Sequence, residues 1–514
     1  MYAESALSLI VPLSVIALVV LTRRVMLSLL LGIVIAGVMM SDSALGVLAY
    51  VWMRVSSVFY SHDAGRIHIE QNSLYVFGFL LILGVLSQLM AYSGGVGAFV
   101  RWARGRIKTA KGSEFVAFIA GIVIFIDDYF NALSVGQISK SLNDANGSTR
   151  ERLAYIIDST AAPICILMPM SSWGAYIIGI LDKKDLALES GALFTLVSSI
   201  WHNYYAWLAL MVVFFSIYWQ IYLKAMRQNV NVGVKDAQSE VRAHSASSVW
   251  LLVAPIGLLI LGVLAMLFYS GYATSQNPNP IIMLQNTQTG FSLFWGGLFA
   301  LIISALLCAR HLETGSIFPI VRYGIGSMMP AILILVLAWA IGPAINEDMQ
   351  TGQYLAALTQ AHFAQNAGLA LPMILFVISG FIGFATGTSW GTFAIMLPIA
   401  ASMAAACGAD YMLSISAVLA GAVYGDHASP ISDTTILSAT GAGCDARSHF
   451  ITQLPYVSLA AAGALVGFGV AAFSGSVALG WVASIGCVLA ALYFLRGKYA
   501  KPQSITNAES ECEK

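Results

Sequence analysis

Apolar residues form long runs along almost the whole chain, and short polar stretches separate one run from the next. A helix needs about 20 mainly apolar residues to cross the hydrocarbon core of a bilayer. Most of the runs approach that length, so the pattern predicts transmembrane helices throughout the chain. The predicted apolar segments are 5–21, 25–40, 74–92, 115–126, 153–170, 194–222, 249–270, 291–309, 327–343, 371–386, 412–424, 451–473 and 476–496.

One long polar interruption near the middle of the sequence predicts two halves. Lysine and arginine concentrate in cytoplasmic loops, so this basic stretch is expected on the cytoplasmic side. The predicted organisation is a first transmembrane half at 1–222, a cytoplasmic linker at 223–248, a second transmembrane half at 249–496 and a cytoplasmic tail at 497–514. The same rule places Arg23 and Arg24 inside, which puts the N-terminus outside and the C-terminus in the cytoplasm.

The two halves contain similar stretches in the same order. IAGIVIFIDDYFN (119–131) resembles ISGFIGFATGTSW (378–390), and STAAPI (159–164) resembles DHASPI (426–431). Corresponding helices would run in opposite directions, which predicts an inverted-topology repeat; chance similarity between two apolar sequences is the alternative. Such repeats are typical of secondary transporters, whose sites lie near the midplane where discontinuous helices meet.

The composition agrees with a membrane protein and removes other classes. The chain is 58% hydrophobic and 10% charged, with mean hydropathy +0.80 and zero net charge, whereas a soluble domain carries about 25% charged residues. The charge balance gives no reason to expect nucleic acid as a partner. Six scattered cysteines without a CxxC pair indicate neither zinc nor disulfides. The fold class is therefore all-α and polytopic, with a bilayer around it and no cofactor expected.

Two further features exclude a signal peptide and an enzyme. The first apolar run is followed by two arginines and a second apolar run, without a small-residue cleavage site, so a first helical pair is expected. An intramembrane hydrolase is not indicated, since HExxH is absent and position 423 is valine where a GxGD motif needs glycine.

Asp127 and Asp128 form the first polar cluster, with Asn131 close behind. A charged side chain at the bilayer centre costs at least about 2.5–3.5 kcal/mol, so acids there are usually functional or paired. The apolar residues before Asp127 are too few to cross the bilayer, which predicts that the chain stops partway. The alternative is a helix end at the interface with solvated acids.

A second cluster interrupts the apolar stretch YIIDSTAAPICILMPM. It consists of Asp158, Ser159, Thr160 and Pro163. Proline leaves an upstream carbonyl unpaired, and a hydroxyl or a bound ion can occupy the groups that are freed. The alternative is an ordinary proline kink, with Asp158 paired to Arg150 or Arg152.

Hydroxyls and glycines form a third cluster in TGTSWGT (386–392). Glycine allows unwound backbone, and the oxygens of Thr386, Thr388 and Ser389 suit a hard cation. The alternative is a glycine-rich helix-packing face. SSWGAY (171–176) echoes this wording in the first half and is a weaker candidate.

The fourth cluster is GDHASPISDTT (425–435). Its candidate residues are Asp426, His427, Ser429, Pro430, Asp433 and Thr434. Pro430 lies between the two acids and pushes Ser429 towards extended backbone, so the acids are expected to flank a helix break. Capping of a second helix is the alternative for Asp433, and a satisfied buried imidazole is the alternative for His427.

Together, FIDDYFNAL, DSTAAPI, TGTSWGT and GDHASPISDTT resemble the NhaC-type Na⁺/H⁺ antiporter family over about 74 to 460. The resemblance implies the fold of a broader ion-transporter superfamily, with two inverted repeats, re-entrant hairpins and broken helices. Hairpin tips are expected near 127–131 and 386–390, and helix breaks near 158–163 and 426–433. The ion and proton candidates carried over are Asp127, Asp128, Asp158, Asp426, His427 and Asp433. Similar sequences also exchange organic anions.

The resemblance implies exchange of Na⁺ for H⁺ by alternating access in a bacterial inner membrane. Asp426 is expected to be the exchanging carboxylate and to bind the sodium ion, with Asp127 or Asp128 as its first-half counterpart. The alternative is a Na⁺- or H⁺-coupled carrier of a small organic acid or amino acid, whose carboxylate would meet half-helix N-termini near Ser159 and Thr434. The sequence leaves the oligomeric state open, with a homodimer among the options.

Overall fold

Helices make up nearly all of the structure, a computed structural model that describes residues 5–22, 24–63, 66–104, 106–182, 186–228, 248–350, 354 and 367–499. The helices of the first half are α1 Ile10–Thr22, α2 Val25–Met40, α3 Ala44–Ser56, α4 Gln71–Tyr92, α5 Gly95–Arg104, α6 Ala110–Val123, α7 Asp128–Ala145, α8 Arg150–Leu167, α9 Ser172–Asp182, α10 Ala192–Ile200, α11 Tyr204–Tyr218 and α12 Lys224–Gln228. A short antiparallel pair, β1 Tyr60–Asp63 and β2 Arg66–Ile69, was not predicted.

The second half is built in the same way. Its helices are α13 Trp250–Ser275, α14 Pro280–Gln285, α15 Thr289–Cys308, α16 Ile317–Pro343, α17 Ala367–Thr386, α18 Ser389–Cys407, α19 Tyr411–His427, α20 Asp433–Ala442, α21 Ala446–Ser474 and α22 Val477–Tyr499. A π-helix, Ala344–Asp348, follows α16. Most of the predicted linker, 229–247, and the tail from 500 onwards lie outside the described residues.

Nine helical segments of the described chain are long and apolar enough to cross a membrane, and α10 with α11 would make a tenth if this pair, bent by 42°, is one span. The chain is therefore a multi-pass membrane protein. The predicted segments 115–126 and 412–424 are shorter: they belong to α6 and α19, which have 14 and 17 residues. Each ends beside a break in the helical path.

Both halves contain a hairpin of two helices followed by a helix with a short break. In the first half α6 and α7 are joined by a turn at 124–127, and a break at 168–171 separates α8 from α9. In the second half α17 and α18 are joined at 387–388, and a break at 428–432 separates α19 from α20. The predicted hairpins and the break near 426–433 are confirmed, while the inverted relation between the halves stays a prediction.

The predicted break near 158–163 is wrong. Helix α8 continues through Pro163 to Leu167, and the chain leaves the helix around Pro169 instead. Neighbouring helices can re-satisfy the backbone groups that a proline frees inside a membrane protein. Asn131 does so in this turn of α8, where its side-chain amide donates to the carbonyl of Thr160 at 3.2 Å.

Two close backbone approaches bring the hairpins to the broken helices. A Cβ atom on Gly136 of α7 would lie 2.6 Å from the Cα atom of Gly441 in α20. A Cβ atom on Gly383 of α17 would lie 2.8 Å from the carbonyl oxygen of Ala422 in α19. Glycine permits this packing because it has no side chain, so each hairpin tip is held next to a helix break.

Candidate ion-binding site

The tip of the first hairpin is made by polar side chains that satisfy its turn. Asp127 is the N-cap of α7, with an extended backbone, and its Oδ1 accepts from the N–H of Phe130 at 3.0 Å. The side-chain amide of Asn131 donates to the carbonyls of Gly121 and Ile124, both at 2.7 Å. The sequence folds back here because these groups replace the hydrogen bonds that a continuous helix would make.

The first helix break meets this tip directly. Ser172, the first residue of α9, donates its hydroxyl to Asp127 Oδ2 at 3.0 Å and its N–H to the carbonyl of Ile126 at 2.8 Å. Ser171 links the two sides of the break, since its hydroxyl donates to the carbonyl of Cys165 and accepts from the N–H of Gly174. Asp127 is therefore a structural carboxylate that joins a hairpin to a broken helix.

At the second hairpin tip the cap comes from another helix. The turn needs Gly387, whose φ is +67°, and Thr388 is the N-cap position of α18 but makes no side-chain cap. Instead, Asp426 Oδ2 accepts from the N–H of Ser389 at 3.0 Å and from its hydroxyl at 2.8 Å. A carboxylate at a helix N-terminus is stabilised by the unpaired N–H groups and the helix dipole.

The second helix break completes the surroundings of Asp426. Its Oδ1 accepts from the hydroxyl of Ser432 at 2.5 Å, and Ser432 in turn caps α20 and lies 2.9 Å from the hydroxyl of Thr434. Ser429 donates to the carbonyl of Phe384 in the facing hairpin at 2.7 Å. The N-cap of α20 is Ser432, so the capping role considered for Asp433 belongs to its neighbour.

Asp128 differs from both of these acids because it has no hydrogen-bond partner. Its side chain is 1% exposed, and neither carboxylate oxygen meets a donor within the described part of the chain. It lies within electrostatic reach of Asp127 and Asp426, and the indole N–H of nearby Trp173 is also without a hydrogen-bond partner. The predicted alternative of two solvated acids at an interface is wrong, since both are buried. A buried, unpaired carboxylate calls for a proton or a cation.

A cavity of about 590 Å³ opens beside the two hairpin tips. Its polar lining includes Arg24, Asp127, Tyr129, Thr386, Thr388 and Asp433. Asp433 is exposed and accepts a 3.3 Å hydrogen bond from the hydroxyl of Tyr129. The hydroxyl of Thr386 bonds to the carbonyl of Ile382 in its own helix. The cavity gives a route towards the acids from one side of the protein.

Asp158 lies in a separate buried cluster rather than at the hairpin tips. Its Oδ2 accepts from the hydroxyl of Thr435 at 3.2 Å and the amide of Gln453 at 2.8 Å, and lies 3.3 Å from His449 Nε2. The predicted alternative of an arginine partner is wrong, because Arg152 pairs with Glu114. Thr160 is no site residue either: its hydroxyl bonds to the carbonyl of Ile156 in its own helix.

His427 connects this cluster to α11. Its Nε2 lies 3.0 Å from the hydroxyl of Ser159, and its Nδ1 lies 2.8 Å from the hydroxyl of Tyr205. The amide of Gln453 also donates to the carbonyl of His427 at 2.8 Å. Ser159 therefore contacts the imidazole and not the half-helix N-terminus expected for it.

Several residues of both clusters escaped the sequence analysis. Ser432 stands inside a quoted motif, and Ser172 belongs to the stretch SSWGAY that echoes TGTSWGT, so local signals existed for both. His449 and Gln453 are four residues apart on α21, a spacing that puts polar side chains on one face of an apolar helix. No sequence signal connects that face with Asp158, about 290 positions earlier in the chain.

Comparison with known proteins identifies relatives of the whole chain and of parts of it. Residues 164–473 match the model of the Na⁺/H⁺ antiporter family. An uncharacterized protein of Haemophilus influenzae is 40% identical over 500 residues, 94% of each chain. An uncharacterized Na⁺/H⁺ antiporter of that organism is 28% identical over 38% of each chain, and the malate-2H⁺/Na⁺-lactate antiporter of Bacillus subtilis is 30% identical over 27% of this chain and 29% of its own.

Two solved structures share the fold. The YdaH transporter of Alcanivorax borkumensis superposes with a TM-score of 0.54 at 15% identity, over 85% of this chain and 90% of its own. MtrF of Neisseria gonorrhoeae, from a class of antimetabolite efflux pumps, gives a TM-score of 0.50 at 13% identity, over 84% of both chains. At these identities the likeness concerns the fold alone.

Proposed function

Because this chain belongs to the Na⁺/H⁺ antiporter family, we propose that it exchanges sodium ions for protons across the membrane by alternating access. The observation that carries the proposal is Asp128, a buried carboxylate without a partner at the meeting point of two hairpin tips and two helix breaks. The proposed setting is a bacterial inner membrane, with the N-terminus outside and the C-terminus in the cytoplasm, in keeping with the basic residues of the loops.

Asp128 is the proposed proton-exchanging group. A second carboxylate nearby favours the protonated form of the first, and a bound cation favours the ionised form. Sodium and a proton then exclude one another at the site, and this competition couples their movements. Asp127 is not proposed for this role, because its two oxygens already accept from Phe130 and Ser172.

Asp426 is the proposed fixed anion of the sodium site. Its carboxylate accepts three hydrogen bonds, which hold it in place, and hydroxyl oxygens of Ser389, Ser432 and Thr434 lie around it. Carboxylate and hydroxyl oxygens are hard ligands that suit sodium better than soft metals. Rotation of these hydroxyls away from the carboxylate would turn their oxygens towards a cation, with no change in the backbone.

Exchange that includes an organic anion is the second candidate. The cavity of about 590 Å³ falls within the range of about 300–1,000 Å³ that organic ligands occupy. One relative is a malate-2H⁺/Na⁺-lactate antiporter. In this version the hairpin tips bind the coupling ions and the cavity receives the organic anion next to them.

Purified protein in liposomes that contain a pH-sensitive dye tests the proposal. We expect external Na⁺ to move protons outwards without any organic solute, and we expect Asp128→Asn to reduce this movement to that of empty liposomes. Asp42→Asn, in the exposed loop between α2 and α3, is the matched control and should transport normally. Replacement of an unpartnered buried charge by an amide should not unfold the protein, which size-exclusion chromatography checks.

Other results would reject the proposal or select the second candidate. Normal exchange by Asp128→Asn would remove Asp128 from the proton site. Proton movement that requires added malate or lactate would favour organic-anion exchange. Li⁺ and K⁺, tested in parallel, measure the cation selectivity.

A further inference from the structure

The buried cluster around Asp158 contains an acid but no base of its own. Its side chains are Asp158 and Ser159 from α8, Tyr205 from α11, His427 from α19, Thr435 from α20, and His449 and Gln453 from α21. Each of these seven side chains is at most 1% exposed. With both imidazoles neutral, the cluster carries one uncompensated negative charge inside the membrane protein, an expensive state unless a cation or a proton joins it.

The packed helices do not supply the missing charge. Titratable groups that face the cluster from them are Tyr155, Glu151 and Arg152 on α8, Tyr424 and Asp426 on α19, and Tyr456 on α21. Arg152 is the base among these groups, and its guanidinium is paired with Glu114 at 3.4 Å. The negative charge of Asp158 is therefore answered within its own cluster.

Hydrogen bonding indicates where a proton would go. Three buried atoms of the cluster have no partner: Asp158 Oδ1, His449 Nδ1 and Gln453 Oε1. The amide of Gln453 is fixed by two acceptors, Asp158 Oδ2 and the carbonyl of His427, so its unpartnered atom is an acceptor. With the Nε2 proton of His449 directed at Asp158, its Nδ1 is an acceptor too. The cluster has more acceptors than donors, and one proton on Nδ1 adds both a donor and a positive charge.

We propose that Asp158 and His449 form a second proton-binding site, separate from Asp128, which gains and loses one proton in each transport cycle. This proposal rests on the proposed function, and it assigns the cycle two protons for each sodium ion. The proton binds at His449, and the imidazolium then pairs with the Asp158 carboxylate.

The cluster is wired to the helix break beside the sodium site. Gln453 bridges Asp158 to the carbonyl of His427, the last residue of α19, and Thr435 ties Asp158 to the first turn of α20. Asp426 precedes His427 directly in the chain. Loss of the proton weakens the attraction between α8 and α21, and the hydrogen bonds on both sides of the break must adjust. The second proton can thus bias the position of the break.

The experiment measures the number of protons exchanged for each sodium ion in liposomes held at zero membrane potential. Two protons for one sodium ion balance a tenfold proton gradient against a roughly 100-fold sodium gradient, and a one-for-one exchange balances it against a roughly tenfold gradient. We expect the larger balancing gradient for the wild type and for the control His202→Gln, which lies between α10 and α11. Asp158→Asn should give the smaller one.

A second variant covers the case in which Asp158→Asn does not fold. Asp158→Asn combined with His449→Gln removes the acid and the base together and leaves a neutral cluster. Proton release on Na⁺ binding in detergent, followed with a pH dye, then reports the stoichiometry without turnover: about two protons for each ion in the wild type and about one in the variants.

An unchanged ratio in both variants would overturn the second site, whatever their stability. Failure of both variants to fold would mark the cluster as purely structural and would overturn it as well, and so would loss of Na⁺ binding, which would make the cluster part of the sodium site. A wild-type protein that exchanges no protons for Na⁺ would instead reject the proposed function itself.

Discussion

Glu114 and Arg152 form a buried ion pair, and we predict that breaking it destabilises the protein more than removing both charges. The two side chains are 0% exposed and lie 3.4 Å apart, joining α6 of the first hairpin to α8. The Glu114 carboxylate also accepts from Ser148, Gln220 and Tyr222 at 2.9, 3.1 and 2.7 Å. The pair therefore fixes the outer end of the first hairpin against helices that form its support.

The magnitude follows from the contacts of each partner. Removal of one member of a buried pair leaves an uncompensated charge and costs about 3–5 kcal/mol. The guanidinium of Arg152 also lies 5.1–5.9 Å from the ring centroids of Tyr155, Tyr222 and Tyr456, each such contact contributing about 0.5–2 kcal/mol. We therefore expect Glu114→Gln and Arg152→Met each to lose about 3–5 kcal/mol of unfolding free energy. The double variant, without a buried charge, should lose only about 1–3 kcal/mol.

Equilibrium unfolding in mixed detergent micelles, followed by tryptophan fluorescence, provides the four free energies of this double-mutant cycle. Glu347→Gln is the control, because Glu347 pairs with Arg54 at 3.5 Å but is 70% exposed, and its loss should cost less than about 1 kcal/mol. Single-variant losses that add up in the double variant would show that the two charges do not depend on one another, and the reasoning would be refuted.

Two further predictions concern the packing of the first hairpin and the proposed sodium site. Gly136→Ala should destabilise the protein by about 1–3 kcal/mol, because the new Cβ atom lies 2.6 Å from the backbone of Gly441, while Gly257→Ala, with nothing within 4 Å, should leave the thermal unfolding temperature unchanged or slightly higher. Ser389→Ala should raise the Na⁺ concentration for half-maximal exchange by about tenfold, since it removes a 2.8 Å hydrogen bond to Asp426; Ser402→Ala, whose hydroxyl bonds to a carbonyl of its own helix, should not change it.

Local sequence signals predicted the turns of the hairpins but not the length of every helix. Asp127 and Gly387 stand where a cap and a positive φ are needed, so the chain reverses near both, as expected. Pro163 was expected to break α8 and does not, because the surrounding helices satisfy the freed backbone. Pro169 lies in the true break, where Ser171 caps both sides. The difference depends on tertiary neighbours, which a proline alone does not reveal.

The site was predictable as far as its residues lie in quoted motifs. Asp127, Asp128, Ser389 and Asp426 come together at the hairpin tips, in keeping with their motifs. The sequence could not choose between Asp127 and Asp128, since the choice depends on hydrogen-bond partners from other helices. His449 and its cluster were out of reach for the same reason: a histidine on a long apolar helix gives no hint of the acid it will meet.

The two structural acids do the same work from opposite sides. Asp127 belongs to a hairpin and binds Ser172 of a broken helix, whereas Asp426 belongs to a broken helix and binds Ser389 of a hairpin. Each half thus uses one carboxylate to lock a hairpin tip to a helix break. Asp128 has no such task, and the similarity between the halves aligns it with Gly387, which has no side chain. The unpaired charge is therefore an asymmetry added to a shared scaffold, which is what a single exchange site in a two-fold architecture requires.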